Sequence, residues 1–145
     1  MYTIEKTMII DDDPLTSYLF SKINDIVHFT KEIKSFYNAV DGLDYLFGSN
    51  SHQHEFPDAI FLDIGMPIVN GWHFLERLHT SDHFDKNNTI VYMLTASNNQ
   101  SDINRAKKFA HVEDYVVKPL TVERLQLVQT NLTKTSVPKS LNSPT

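Results

Sequence analysis

The sequence predicts a doubly wound α/β fold in which five parallel strands alternate with five helices. Three observations carry that prediction. Short runs rich in β-branched and aromatic residues recur five times, stretches with apolar residues at helical spacing separate them, and four of the five runs are almost continuously apolar. Continuous apolar strands belong to sheets covered on both faces, and right-handed helical crossovers keep successive strands parallel.

The runs are residues 7–11, 32–36, 59–63, 89–94 and 114–118. In the second, Ile33 and Ser35 alternate with Lys34 and Phe36, the pattern of an edge strand. Leu15, Leu19, Ile23 and Ile26 step by four, four and three, so they are expected to share the buried face of a first helix. Pro14 suits its first position, where a missing N–H has no partner to lose. Asn38 is the expected cap of a second helix that carries Val40, Leu43 and Leu46. Asn70 or Gly71 opens a third with Leu75 and Leu78, and Ile103, Ala106 and Ala110 mark a fourth. Thr121 caps a fifth, where Leu125, Val128 and Leu132 repeat at helical spacing. From Lys134 the chain is polar and proline-bearing. Residues 1–133 are therefore expected to fold as one domain and 134–145 to form a flexible tail, with no second domain.

Composition narrows the function. The chain has 145 residues, 41% hydrophobic and 21% charged, which fits one soluble domain. No apolar stretch approaches the roughly 20 residues needed to span a bilayer, and residues 1–10 lack the features of a signal peptide. A cytoplasmic protein without a membrane partner is expected. The absence of cysteine excludes disulfides, thiolate catalysis and zinc–thiolate sites. A net charge of −5 argues against nucleic acid as a partner, and the basic pair Lys107-Lys108 reads as an exposed helix face.

Polar residues collect where the apolar strands end. The first strand runs into Asp11-Asp12-Asp13, the third ends in Asp63, Thr95 follows the fourth, and Lys118 closes the fifth. In an open parallel sheet these ends lie along one edge, where ligands bind. Clustered carboxylates raise one another's pKa unless a cation sits among them. A hard divalent ion such as Mg²⁺ suits oxygen ligands and phosphate oxygens. With the charge neutralised, one aspartate can act as a nucleophile toward phosphorus, while a lysine and a threonine hydroxyl hold the phosphoryl oxygens. Singly, each residue is an ordinary cap or strand end, as Asp13 before Pro14 is expected to be. The conjunction is what is specific.

Met8-Ile-Ile-Asp11-Asp12-Asp13-Pro14, Leu62-Asp63-Ile-Gly-Met66-Pro67, Asn70-Gly71, Leu94-Thr95-Ala96 and Tyr115-Val-Val-Lys118-Pro119 together resemble the signature set of bacterial response-regulator receiver domains. The likeness spans residues 7–132. It implies a flavodoxin-like sheet of order 2-1-3-4-5 in a stand-alone receiver similar to the chemotaxis type. It implies Asp63 as phosphoacceptor, and Mg²⁺ or Mn²⁺ held by Asp11, Asp12, Asp63 and the backbone carbonyl of Gly65. Asp12 is then the direct ligand and Asp11 acts through water. Thr95 and Lys118 contact the phosphoryl group, Tyr115 is the aromatic switch, and the Lys118-Pro119 bond is expected to be cis. A sensor histidine kinase or histidine phosphotransfer protein is the implied donor. An unidentified protein is the implied target, reading the surface of the fourth helix, fifth strand and fifth helix. The chain is expected to be a signalling phosphoacceptor rather than an enzyme, with at most self-phosphorylation from small donors and autodephosphorylation.

Some positions depart from the pattern. Gly65 and Ser97 flank the phosphate site and are small, which suggests an aspartyl phosphate that lasts minutes. His111 stands where many receivers carry glycine, and residues 81–88 form a longer polar loop than the fold needs. His79 with His83, and His52 with His54, lack a third ligand at a natural metal spacing, and Trp72 and His73 read as ordinary residues of a helix start. A haloacid-dehalogenase-type phosphatase would carry a second aspartate two residues after the nucleophile, where Gly65 stands. Neither GxxxxGK[ST] nor GxGxxG occurs, so nucleotide binding has no support. A pseudo-receiver that no longer takes phosphate is disfavoured by the intact set of five site residues. A relay intermediate and a terminal output remain equally open.

Overall fold

The run of residues that are apolar on both strand faces fixes the middle of the sheet. In a computed structural model, residues 1–48, 56–66, 71–81, 88–96, 100–109 and 112–142 are described, with side chains as far as 133. Five strands, β1 (Ile4–Ile10), β2 (Thr30–Phe36), β3 (Ala59–Asp63), β4 (Ile90–Thr95) and β5 (Val112–Val117), pair in parallel in the order β2-β1-β3-β4-β5. Helices α1 (Pro14–Val27), α2 (Ala39–Phe47), α3 (Gly71–Thr80), α4 (Gln100–Ala106) and α5 (Val122–Asn142) connect and follow them. The expected flavodoxin-like fold is the observed one.

Side-chain alternation along the strands makes two cores. Met8, Ile10, Ile60, Leu62, Val91 and Met93 meet α2, α3 and Ala106 of α4 on one face. Ile9, Ala59, Phe61, Tyr92, Leu94 and Val116 meet α1 and α5 on the other. There Phe20, Phe29 and Phe61 pack edge to face, and Tyr92 stacks on Phe61 with centroids 5.3 Å apart. β1 begins at Ile4, earlier than the apolar run suggested, because backbone pairing with β2 continues past the polar Glu5 and Lys6. A burial pattern cannot report a ladder whose side chains are exposed.

Two helices sit in a different phase from the expected one. On α1 the buried residues are Thr16, Ser17, Phe20, Ile23 and Asn24, whereas Leu15 and Ile26 are 54% and 65% exposed. The cause is Asn24. Its buried side chain accepts from Thr30 N–H at 2.9 Å and donates to Thr30 C=O at 2.8 Å, so a polar residue takes the inward position and rotates the apolar stripe outward. On α2 Val40 is exposed while Ala39, Gly42 and Leu46 are buried and Leu43 packs at the margin. Small residues face the sheet there: a Cβ added to Gly42 would lie 3.0 Å from Ile10 Cδ1. Apolar spacing reads large side chains, and this contact is made by small ones.

The remaining helices follow the sequence closely. Leu75 and Leu78 of α3, Ile103 and Ala106 of α4, and Leu125, Val128 and Leu132 of α5 are buried. Trp72 is buried and His73 exposed. Asp13 caps α1 by accepting from Leu15 N–H, Asn38 caps α2, and Thr121 Oγ1 accepts from Arg124 N–H at the start of α5. α5 is helical to Asn142, so the boundary expected after residue 133 falls within it. Asn70, Ser97, Ala110, His111, His52, His54, His83 and most of the loop 81–88 lie outside the described residues. Among the described residues, no helix is long and apolar enough to cross a membrane.

Asn24→Ala would strand both backbone groups of the buried Thr30. Each unmade bond to a buried group costs about 1–3 kcal/mol. The variant is expected to lower Tm by roughly 5–10 °C, measured by calorimetry, whereas truncating the exposed Ile26 changes it little.

Candidate functional site

Register brings the polar strand ends together. Ile10 pairs with Leu62, so Asp11 and Asp63 stand side by side one step further on; Thr95 pairs with Val117, which places Lys118 just beyond. The end of β1 is tied down by Asp11 N–H donating to Phe36 C=O, and the end of β4 by Lys118 N–H donating to Thr95 C=O at 2.7 Å. Asp11 is fully buried, and Asp63 and Thr95 are 8% exposed. Asp12 is exposed.

Lys118 holds the group together. Its Nζ donates to Asp11 Oδ2 at 2.9 Å and to Asp63 Oδ2 at 3.4 Å. A four-carbon stem lets one ammonium from β5 reach across the end of β4 to two acids on β3 and β1. The peptide between Lys118 and Pro119 is cis, as expected. Each acid also has backbone support: Asp13 N–H donates to Asp11 Oδ1 and Gly65 N–H to Asp63 Oδ1, both at 2.9 Å.

The two acids are shifted in opposite directions. Burial acts to raise the Asp11 carboxyl. The Asp13 N–H, the Lys118 ammonium and the Thr16 hydroxyl outweigh it and hold Asp11 below the ordinary range. Burial raises Asp63, the Gly65 N–H only partly offsets it, and the charge of Asp11 pushes it higher. Burial alone would lower Lys118, yet its bonds to the two acids leave it raised and firmly charged. Asp63 is thus the strained carboxylate of the pair. Carboxylate oxygens of Asp11, Asp12 and Asp63 lie within 4.8 Å of one another, the only such group of potential metal ligands among the described residues. Three carboxylates and one ammonium leave two net negative charges, which matches a hard divalent cation with oxygen ligands.

Tyr115 is half-buried against the core face that holds Met93, Trp72 and Ala106, and by register it pairs with Met93. Thr95 lies two residues along β4 from Met93, on the same side of the strand by alternation. Two features escaped the sequence reading. Thr16 reaches Asp11, a contact that the capped start of α1 beside a strand end could have suggested. Gly71 is required by close approach: a Cβ there would lie 2.6 Å from Ile64 Cα and 2.9 Å from Asp63 O. His79 lies edge-on to Phe109, with ring centroids 6.3 Å apart.

The chain matches the family model of the response regulator receiver domain over residues 7–129, and it belongs to that family. The probable methanogenesis regulatory protein FilR2 of Methanothrix harundinacea is 27% identical over 119 residues, 82% of this chain and 75% of that protein. The sensory transduction protein LytT of Oceanobacillus iheyensis is 28% identical over 142 residues, 94% of this chain and 51% of that protein. The chain therefore spans three quarters of the first and about half of the second. A two-component response regulator from Cytophaga hutchinsonii superposes with a TM-score of 0.75 at 28% identity, covering 90% of this chain and 98% of that one. The chemotaxis protein CheY4 of Vibrio cholerae shares the fold at a TM-score of 0.70 and 18% identity, over 89% and 98% of the two chains. The protein is thus a receiver domain of two-component response regulators, a signalling family whose membership implies a histidine kinase or phosphotransfer partner.

The opposed shifts set a stability test. A carboxyl raised by folding stabilises the fold only while protonated, below its unfolded value, and that contribution is lost as pH rises through the folded pKa. Ionised Asp63 therefore destabilises the metal-free protein at neutral pH. Asp63→Asn is expected to raise Tm by several degrees in a chelator near neutral pH. The gain should shrink as pH falls toward about 4, followed by thermal melts across the pH range.

Proposed function

We propose that this receiver accepts a phosphoryl group on Asp63 in a Mg²⁺- or Mn²⁺-dependent reaction and that the aspartyl phosphate switches a protein-binding surface. The observation that carries the proposal is the Lys118 ammonium set between Asp11 and Asp63. An Asp63 oxygen attacks phosphorus, the P–N bond of a donor phosphohistidine breaks, and the imidazole leaves with the bonding electrons. Asp63 is suited to this because it is buried, oriented by Gly65 N–H and the acid less stabilised as an anion.

The donor set fits a divalent ion. Asp12 as direct ligand, Asp11 through water, Asp63 and the Gly65 carbonyl would hold it, and the bound ion would neutralise the charge that builds on the phosphoryl oxygens. Lys118 and Thr95 would hold the transferred group, since an ammonium and a hydroxyl are apt partners for its oxygens. An aspartyl phosphate adds about −1.5 to −2 charge. Lys118 would turn toward that charge, Thr95 would follow, and the space Thr95 leaves is on the strand side where Tyr115 packs. The α4, β5 and α5 surface would then present a changed face to a cytoplasmic protein target. The chain acts in this reading as a phosphoacceptor, with self-phosphorylation and autodephosphorylation as its only chemistry.

Incubation with acetyl phosphate and Mg²⁺ is expected to add one phosphoryl group by intact mass. Asp63→Asn and chelation should each abolish the gain; a gain that survives Asp63→Asn would refute the assignment. The lifetime test is separate. Among the described residues, a Cβ added at Gly65 would meet only Asp63 Oδ1, at an ordinary 3.5 Å, so Gly65 itself puts no side chain over the acceptor. The aspartyl phosphate is expected to persist for minutes in purified protein, and loss within seconds would contradict that reading of Gly65 and Ser97.

A further inference from the structure

The single tryptophan of the chain sits between the acceptor and α4. It follows Gly71, whose Cα side is pressed so closely on the backbone of Asp63 and Ile64 that no Cβ fits. Trp72 is only 8% exposed. Its ring stacks with Phe109, just beyond α4, at 6.4 Å and 23°, and the Arg105 guanidinium of α4 lies 4.2 Å over its centroid. Met66, three residues after Asp63, belongs to the same buried cluster, as does Ala106.

Among the described residues α4 is the shortest helix, at 7 residues, and Ile103 and Ala106 are its buried residues. A helix with so small an apolar footing is positioned by the groups that grip its neighbours. Here those groups are Arg105 and Phe109, and what they grip is Trp72. A buried indole is the best aromatic partner for a guanidinium, and the face contact fixes the cation's position over the ring.

We propose that Trp72 is a positioning residue that couples the Asp63–Gly65 turn to α4. The inference rests on the reading of Asp63 as phosphoacceptor. The turn cannot shift without moving Gly71, because their backbones are in contact. Trp72 moves with Gly71, and Arg105 and Phe109 carry the movement into α4. This arm passes along β3 and the start of α3. It takes a different course from the arm through Thr95 and Tyr115 on β4 and β5, and the two meet in the cluster that holds Trp72, Met93 and Ala106.

Trp72 reports on its own environment, since no other tryptophan is present. The experiment forms the aspartyl phosphate with acetyl phosphate and Mg²⁺, verifies it by intact mass, and follows Trp72 emission and hydrogen exchange in residues 100–106. The wild type is expected to change in both. Arg105→Met, an exposed substitution that keeps the stem, should accept phosphate equally well yet lose at least about half of the exchange response. Arg105→Lys should recover part of it. A protein that gains the phosphoryl mass without a change in Trp72 emission overturns the coupling, as does an undiminished exchange response in Arg105→Met. A wild type that gains no mass overturns the phosphoacceptor reading itself and the coupling with it, and the mass record tells the two failures apart.

Discussion

The structure depends on one ammonium placed among acids. Lys118 bonds to both Asp11 and Asp63 and so eases their standing as neighbours, and it does so unequally. Asp11 receives the shorter bond together with the Asp13 N–H and the Thr16 hydroxyl, and is held ionised. Asp63 receives the longer bond and carries the cost of burial beside another negative charge. A site whose charges balanced fully would have no use for a cation. This one is left two charges negative, and the imbalance falls on the residue proposed to react.

The sheet creates that imbalance, because three strands must end in register for the acids to meet. At the opposite edge, Asp58 is the counterpart: its carboxylate accepts from Glu5 and Lys6 N–H, and its backbone bonds to Lys6 and Ile90 join β1 to β4. One edge of the sheet is thus closed by satisfied hydrogen bonds and the other is kept under electrostatic tension. Two close-packed apolar cores on either side of the sheet transmit little compliance between the edges. Rearrangement in the proposed switch would therefore fall to the elements around the acidic end.

Much of this was legible in the residues. The strand ends were readable because continuous apolar runs stop sharply at Asp63 and near Asp11, Thr95 and Lys118, and the signature motifs gave their order. Helix phase was less legible. The stripe of Leu15, Leu19, Ile23 and Ile26 has good spacing, but the hydrogen bonds of Asn24 to Thr30 decide which side of α1 faces in, and those bonds are made to a residue on the next strand. Gly42 and Val40 teach the same point with size in place of polarity. The contacts of Trp72 with Arg105 and Phe109 join segments more than thirty residues apart in a chain of 145, and no local pattern encodes them.

The side chain of Gln129 has a consequence for how the last helix can respond. Its Nε2 donates to Thr3 Oγ1 at 2.8 Å and to Val27 C=O at 2.9 Å, so the middle of α5 is nailed to the end of α1 and the start of β1. Sliding along its axis would break both bonds at once, whereas tilting about Gln129 keeps them. The helix is therefore a lever with a fixed fulcrum. Val122 lies seven helical steps before Gln129, an arm of roughly 10 Å at ~1.5 Å per residue, and along that arm displacement is greatest at its acidic end.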